Sequence, residues 1–146
     1  MKVSTKGRYA VRLMIDLAQQ RDKGYISLSE IAERQGVSKK YLEQIVSALN
    51  KRDDFLDVAR GFQGGYRLNK ELDEYNVAEI LMLTEKTLSP VTCINADCVE
   101  CDRAKNCETL PVWIGLEKAV YDYLSNITLK DIVDGKYDNL RSLKNI

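Results

Sequence analysis

Apolar side chains recur every three to four positions over the first fifty residues, which is the spacing of a helix with one buried face. The pattern predicts one helix over residues 4–21 and another from about Lys39 to Arg52. Between them, a shorter apolar segment starts at Ser27 and stops at Gly36. The first half of the chain is therefore predicted to be helical.

Polar residues and a glycine mark the ends of these helices. Ser27 and Glu30 have the spacing of a capping box, and Ser38 is suited to cap the following helix. Gly36 can adopt the positive φ that ends a helix. A short helix, a tight turn containing glycine and a second helix form a helix-turn-helix.

Two short segments with alternating polarity follow, Leu56–Ala59 and Tyr66–Leu68, separated by the glycine-rich run Arg60–Gly65. Alternation on both sides of a glycine-rich turn predicts a β-hairpin. A helix-turn-helix followed by a hairpin is a winged helix. We therefore predict a mainly α protein with a small β wing, in which residues 1–86 form a winged helix-turn-helix domain.

The pattern in the second half of the chain predicts a short helix from Asn76 to about Lys86. A cysteine loop over residues 87–110 and a C-terminal region over 111–146 follow. That region contains a longer helix from about Pro111 to Leu124 and a short capped one over Thr128–Val133. Apolar residues at three-to-four spacing form a continuous seam on the longer helix. This seam favours a homodimer through residues 110–124; the alternative is that the helix packs on its own domain. The seam comprises Leu110, Trp113, Ile114, Val120, Tyr121 and Leu124, interrupted by Glu117.

The charge distribution favours a polyanionic partner, although the net charge is zero. Residues 1–70 carry 14 Lys and Arg against 8 Asp and Glu, a net +6 that the rest of the chain balances. Lys6 and Arg8 lie in the first turn of a helix, where positive charge is unfavourable unless an anion such as a DNA phosphate is present. Ordinary charge scatter on a solvated face is the alternative.

The start of the second helix of a helix-turn-helix enters the DNA major groove, and a wing tip can place an arginine in a minor groove. The lysines there suit phosphates, whereas Glu43 and Gln44 suit base edges. A polar surface face and a plain hairpin are the alternatives. The candidate DNA-binding residues are Lys6, Arg8, Ser38, Lys39, Lys40, Tyr41, Glu43, Gln44, Arg60, Gly64 and Gly65.

All four cysteines lie within one short polar segment, with the spacing Cys93-x4-Cys98-x2-Cys101-x5-Cys107. Thiolates this close can share an iron–sulfur cluster or a structural zinc ion, and a bound metal can order a loop that buries little apolar surface. The same spacing is also compatible with disulfides or with unligated thiols. Because the sequence has no signal peptide and no transmembrane run, we expect a reducing cytoplasm and no membrane association.

Catalysis is not expected. The chain has no histidine, no nucleophile–base pair is evident, and the glycine-rich run lies in a hairpin rather than between a strand and a helix. The sequence therefore predicts a DNA-binding protein rather than an enzyme.

Several motifs occur in the order and at the intervals found in the iron–sulfur cluster regulators, the IscR-like repressors. The chain strongly resembles this family over about residues 1–135. The motifs are Ser4–Val11, Ile31–Ser38, Tyr41–Gln44, Arg60–Tyr66 and Ile127–Val133.

The resemblance implies a homodimeric winged-helix repressor of transcription that binds two-fold double-stranded DNA. It also implies a long helix that crosses between the subunits and an iron–sulfur cluster at the end of that helix. The family's recognition-helix positions are matched by Ser38, Tyr41, Glu43 and Gln44. The resemblance implies that Glu43 helps to discriminate between two kinds of promoter site. Arg60 matches the minor-groove arginine of the family.

The cysteines depart from the family pattern, which is three cysteines and a histidine three residues after the last one. Leu110 stands at the histidine position, and Cys101 is an additional cysteine, so we infer that Cys101 replaces the histidine. By analogy [2Fe–2S] is favoured, with [4Fe–4S] possible. The alternative function is a related repressor controlled by a partner protein or metabolite, with cysteines that hold zinc or act as a thiol redox sensor.

Overall fold

The computed structural model describes residues 2–95, 98–99 and 101–144. In this part of the chain, helices dominate and the strands form two small hairpins. Short 3₁₀ helices cover Arg21–Lys23, Leu72–Glu74, Ala104–Asn106 and Asp138–Lys144. The other elements are α1 (Thr5–Gln19), α2 (Leu28–Gln35), α3 (Lys39–Leu49), β1 (Leu56–Ala59), β2 (Gly65–Leu68), α4 (Val77–Thr84), β3 (Ile94–Asn95), β4 (Cys98–Val99), α5 (Leu110–Ser125) and α6 (Leu129–Val133).

The predicted fold class is confirmed: α2 and α3 form a helix-turn-helix, and β1 and β2 form an antiparallel wing, Leu56–Leu68. The capping box of Ser27 and Glu30 is present, and Gly36 ends α2 in the left-handed conformation at φ 65°. The wing has an additional partner that the sequence pattern did not predict. Ile26 and Tyr66 exchange two backbone hydrogen bonds of 2.9 Å, which attaches the wing to the start of α2.

The hydrophobic core lies where α1, α3, α4 and α6 pack together beside the wing. Its members include most of the residues of the predicted apolar stripes, because these repeat on one face of each helix. The large, fully buried residues of those stripes are Leu13, Met14, Leu17, Ile31, Leu42, Ile45, Leu49 and Ile80.

A buried tyrosine holds the base of the wing. The Tyr75 hydroxyl donates to the Phe55 carbonyl at 2.8 Å and accepts from the backbone N–H groups of Asn69 and Lys70 at 3.0 and 3.1 Å. Burial raises the pKa of this tyrosine. The segments on both sides of the wing are thus attached to Tyr75, two residues before α4.

The long helix α5 contains no fully buried residue, although it is largely apolar. One side, which includes Leu124, packs against the domain near α4. Another side leaves Val112 60% exposed, Leu116 43% exposed and Tyr123 56% exposed. Within the described residues, no helix is long and apolar enough to cross a membrane.

Candidate DNA interface and cysteine loop

The first turns of α3, the recognition helix, present polar side chains to solvent. Ser38 caps the helix and its hydroxyl accepts from the Tyr41 N–H at 3.2 Å. Tyr41 is half-buried, and the intervening core residue Leu42 is fully buried. The remaining candidates of this helix are all exposed: Lys39, Lys40, Glu43 and Gln44.

A polar cleft of about 730 Å³ separates the recognition helix from the wing. The structure therefore brings together residues from two elements that the sequence suggested separately. Ser27 and Ser29, from the start of α2, also line the cleft and were missed by the sequence analysis. The candidate residues that line this wing cleft are Lys39, Glu43, Arg60, Gly64 and Gly65.

Two of the candidate glycines have a steric role within the wing. A Cβ on Gly64 would lie 2.3 Å from the Ala59 carbonyl oxygen, and one on Gly65 would lie 2.3 Å from the Ile26 carbonyl oxygen. Neither position can hold a side chain unless the backbone moves. Close backbone approach is a common reason for glycine in a hairpin.

The two arginines that flank the wing turn are in different situations. Arg67 donates to Asp57 and lies 4.6 Å from the centroid of the Tyr25 ring. Arg60 is exposed and makes no ion pair with any described residue. Of the two guanidinium groups, that of Arg60 is available for an anion outside the chain.

Contacts with α1 fix the orientation of the recognition helix. The ring of Tyr41 meets Tyr9 edge to face with centroids 5.8 Å apart, and the Arg12 guanidinium lies 4.7 Å from the Tyr9 centroid. Arg12 in turn donates to the Gln35 side chain at 2.8 Å, and Gln35 donates to Asp16 at 2.9 Å. One continuous set of contacts thus links α1, the end of α2 and the start of α3.

Asp16 is the buried end of this set, with only 4% of its surface exposed. Arg34 binds both of its carboxylate oxygens, at 2.6 Å for the shortest contact, and this hydrogen bonding raises the pKa of Arg34. A buried carboxylate needs such partners because it loses its hydration. The sequence signal that could have revealed it is an acidic residue between Met14 and Leu17 on the buried face of α1.

The anion at the start of α1 belongs to the chain itself. A Glu85 carboxylate oxygen accepts from the Ser4 N–H at 3.0 Å and from the Ser4 hydroxyl at 2.7 Å. A Cβ on Gly7 would lie 2.1 Å from that oxygen, so a side chain there would displace the Glu85 carboxylate. Glu85 therefore supplies negative charge at the positive end of α1, where it is favourable, and the predicted phosphate contact of Lys6 and Arg8 stays a prediction. Lys6 is half-buried and Arg8 is exposed beside it.

Three of the four cysteine side chains of the loop are described, and each is at least partly accessible to solvent. Cys93 and Cys107 are half-buried, Cys101 is exposed, and none of these three forms a disulfide. Cys98 lies in β4, but its side chain is outside the described residues. Within the described part, three or more metal-ligating side chains do not converge on one point.

The chemistry of the donor set nevertheless fits a thiolate-bound metal centre. A hydrogen bond from the Thr109 hydroxyl, assisted by backbone N–H groups at the start of α5, lowers the pKa of the Cys107 thiol. Thiolate is the form that binds metal, and metal binding can be coupled to ordering of the segment that supplies the ligands. Metal binding would have to bring the described thiols of Cys93, Cys101 and Cys107 closer together.

A winged helix-turn-helix with a polar recognition helix defines a class, the winged-helix DNA-binding regulators of transcription. Residues 3–135 match the family Rrf2, described as iron-dependent transcriptional regulator. The chain belongs to the Rrf2 family.

The relatives confirm the IscR-like resemblance. The chain is 36% identical to the HTH-type transcriptional regulator IscR of Pectobacterium atrosepticum over 136 residues, which are 93% of this chain and 81% of that protein. A putative HTH-type transcriptional regulator of Neisseria meningitidis is 37% identical over 136 residues, covering 93% of this chain and 90% of the relative. Because its relatives regulate transcription, the chain is a transcriptional regulator, which implies a role other than catalysis.

Solved structures with similar folds include two different kinds of regulator. T. potens IscR has a TM-score of 0.72 at 36% identity, covering 95% of this chain and 90% of that one. CymR, the global cysteine regulator of B. subtilis, has a TM-score of 0.73 at 35% identity, covering 92% and 97%. The family membership therefore does not decide the role of the cysteines.

We predict that Asp16→Asn lowers the free energy of unfolding by about 1–3 kcal/mol, because Arg34 and Gln35 lose the charged acceptor they share. Urea unfolding measures this difference. Asp22→Asn, at an exposed position after α1, is the matched control and should change stability little. Equal unfolding midpoints for both variants would show that the buried carboxylate does not stabilise the fold.

Proposed function

We propose that this protein is a dimeric repressor whose operator binding is modulated by an iron–sulfur cluster held by Cys93, Cys98, Cys101 and Cys107. The observation that carries the proposal is the position of the all-cysteine loop in an Rrf2-family chain. The loop connects α4 of the winged helix domain to the partly exposed helix α5. A change in the loop can therefore act on both the DNA-binding domain, residues 1–86, and the dimer region, residues 111–146.

On the DNA side, the wing cleft supports binding of the recognition helix in a major groove and of Arg60 in the adjacent minor groove. Lysines neutralise phosphates, whereas Glu43 and Gln44 contact base edges. Gly64 and Gly65 permit the close backbone approaches that shape the wing. The proposed DNA contacts are Lys6, Arg8, Ser38, Lys39, Lys40, Tyr41, Glu43, Gln44, Arg60, Gly64 and Gly65.

The proposed dimer interface runs along α5, residues 110–124. The exposed side chains of Val112, Leu116 and Tyr123 leave an apolar surface uncovered in the single chain. Covering it with a second copy buries this surface and places two recognition helices on a two-fold operator, about one helical turn apart.

The proposed cofactor follows from the donor set and the similarity to IscR. Four thiolates without histidine suit [2Fe–2S], favoured by that similarity, and also [4Fe–4S]. A cluster bound by thiolates alone should have a lower reduction potential than one with a histidine ligand. The chain's contribution is to supply the thiolates, with Thr109 favouring the ionised form of Cys107.

Glu85 offers a physical route from the loop to the DNA-binding domain. It stands immediately after α4, two residues before the cysteine loop, and its carboxylate holds the start of α1 through Ser4. A rearrangement of the loop can change this contact and so reposition Lys6 and Arg8. A ligand shifts such an equilibrium only through its different affinity for the two states, typically worth ~1–3 kcal/mol.

A second candidate function is a repressor controlled by thiol oxidation, by zinc, or by a partner protein or metabolite. Exposed Cys101 and the lowered pKa of Cys107 favour thiol chemistry. The similarity to CymR also favours this function. One of the similar solved structures, at 36% identity, is an oxidised form of CymR from Staphylococcus aureus. Visible absorption with iron and sulfide indicates the cluster, whereas a colourless zinc-bound protein indicates the second function.

We predict that anaerobically purified protein contains iron and sulfide, and that replacing all four cysteines with alanine changes operator affinity by roughly 5- to 150-fold. The probe is a duplex selected from a random pool by the unmodified protein. Affinity should be measured for the loaded protein and the variant over a series of salt concentrations.

The salt series separates DNA binding from sensing. Both proteins should bind more weakly as salt rises, because phosphate contacts release counterions. If loaded and variant protein bind every selected duplex with the same salt-dependent affinity, the cluster does not control DNA binding. The DNA-binding part of the proposal would still hold.

For the dimer, we predict that Leu116→Glu raises the dimer dissociation constant at least about tenfold, because it places a charge in the apolar interface. Sedimentation velocity measures the change. Lys118→Glu, on the polar side of the same helix, is the control and should remain dimeric. A dimer equally stable in both variants would place the interface elsewhere.

For the coupling route, we predict that Glu85→Ala brings the affinity ratio between loaded and cluster-free protein closer to one, because α1 loses its contact with the residue before the loop. The same selected duplex serves as probe. Lys86→Ala, at an exposed neighbouring position, should keep the unmodified ratio. An unchanged ratio for Glu85→Ala would exclude this route without affecting the proposed sensor.

A further inference from the structure

Phe62 at the turn of the wing is fully exposed, with a relative accessibility of 103%. An accessibility this high means that the ring packs against nothing else in the described chain. Single apolar residues on a surface are ordinary, so exposure alone carries no function. Two further features indicate what the ring of Phe62 binds. The turn that carries it is constrained, and the ring lies beside the wing cleft.

The turn that carries Phe62 is tightly constrained. Gly61 adopts a positive φ of 103°, and the Gly64 N–H donates to the Gly61 carbonyl at 3.0 Å. The strands close directly behind the turn, with Ala59 paired to Gly65. A preorganised segment loses little conformational freedom on binding, so this hairpin can present an aromatic ring at low entropic cost.

Phe62 also lies on the wing cleft, which it lines together with Arg60 and Lys39. These cations frame the cleft, and Arg60 lacks an ion-pair partner among the described residues. An apolar ring between groups suited to phosphate and minor-groove contacts is matched to a duplex, whose stacked bases offer apolar faces and whose groove edges are anionic. A purely apolar protein partner would leave the charges of Arg60 and Lys39 without counterions.

We propose that Phe62 is an apolar wedge that enters the DNA minor groove beside Arg60 and partly unstacks one base step. Minor-groove proteins insert such side chains and bend the duplex, and pyrimidine–purine steps open most easily. The wing then selects a flexible step through deformability rather than through a base-edge hydrogen bond. This proposal rests on the DNA side of the proposed function and is independent of the cluster.

The test compares Phe62→Ala and Phe62→Leu with Gln63→Ala, an exposed control in the same turn. The probe is the selected duplex with a fluorophore on each end, so that affinity and bending are measured together. We expect Phe62→Ala to weaken binding about tenfold and to reduce the bend, whereas Phe62→Leu keeps most of both. Gln63→Ala should match the unmodified protein.

The salt dependence distinguishes a wedge from a charge contact. Because Phe62 neutralises no phosphate, its removal should leave the slope of log affinity against log salt unchanged. Arg60→Ala should instead reduce the magnitude of that slope by about one.

A second arm changes the DNA instead of the protein. 2-Aminopurine placed at each step in turn locates the step that is unstacked, and a stiff A-tract then replaces the pyrimidine–purine step found there. The unmodified protein should lose affinity on the stiff duplex, whereas Phe62→Ala should bind both duplexes equally.

Two results would overturn the wedge. Phe62→Ala could match Gln63→Ala in affinity and bend, or it could lose affinity while the bend and the step preference persist. Failure of the unmodified protein to select any duplex would instead overturn the DNA side of the proposed function, and the wedge with it.

Discussion

The ion pair that Arg34 forms with the buried carboxylate of Asp16 is the interaction on which the arrangement of the DNA-binding domain depends. A carboxylate removed from water must have charged or hydrogen-bonding partners, and its nearest ones lie at the end of α2. Satisfying Asp16 therefore fixes the helix-turn-helix on α1. Through Gln35, Arg12 and the paired tyrosines, the same contacts reach the start of the recognition helix.

The first helix consequently acts as the common support of the domain, with an acidic side chain bound at each end. Asp16 near its C-terminus holds the helix-turn-helix, and Glu85 at its N-terminus holds the residue that follows α4. The proposed function requires a rigid element between the cysteine loop and the DNA-binding surface. In this chain α1 meets that need, with polar contacts at its ends and apolar contacts between them.

Local features of the fold followed from short stretches of sequence. Helix ends could be predicted from Ser27, Glu30, Gly36 and Ser38, because capping depends on residues three or four positions apart. Alternation around a glycine-rich turn identified the wing for a similar reason. Helix ends were less accurate: α4 was expected to reach about Lys86 but stops at Thr84, because Glu85 adopts an extended backbone where it binds Ser4.

By itself, the sequence determined the periodic faces, the caps, the wing, the basic first half and the family, because each depends on local spacing or on motifs in order. The tertiary structure alone decided which distant residues meet. Glu85 lies 81 positions from Ser4, and Ile26 pairs with Tyr66 across the helix-turn-helix. Such contacts arise from packing of whole elements, in which a polar group removed from water takes whichever partner the fold brings near, so no short pattern encodes them.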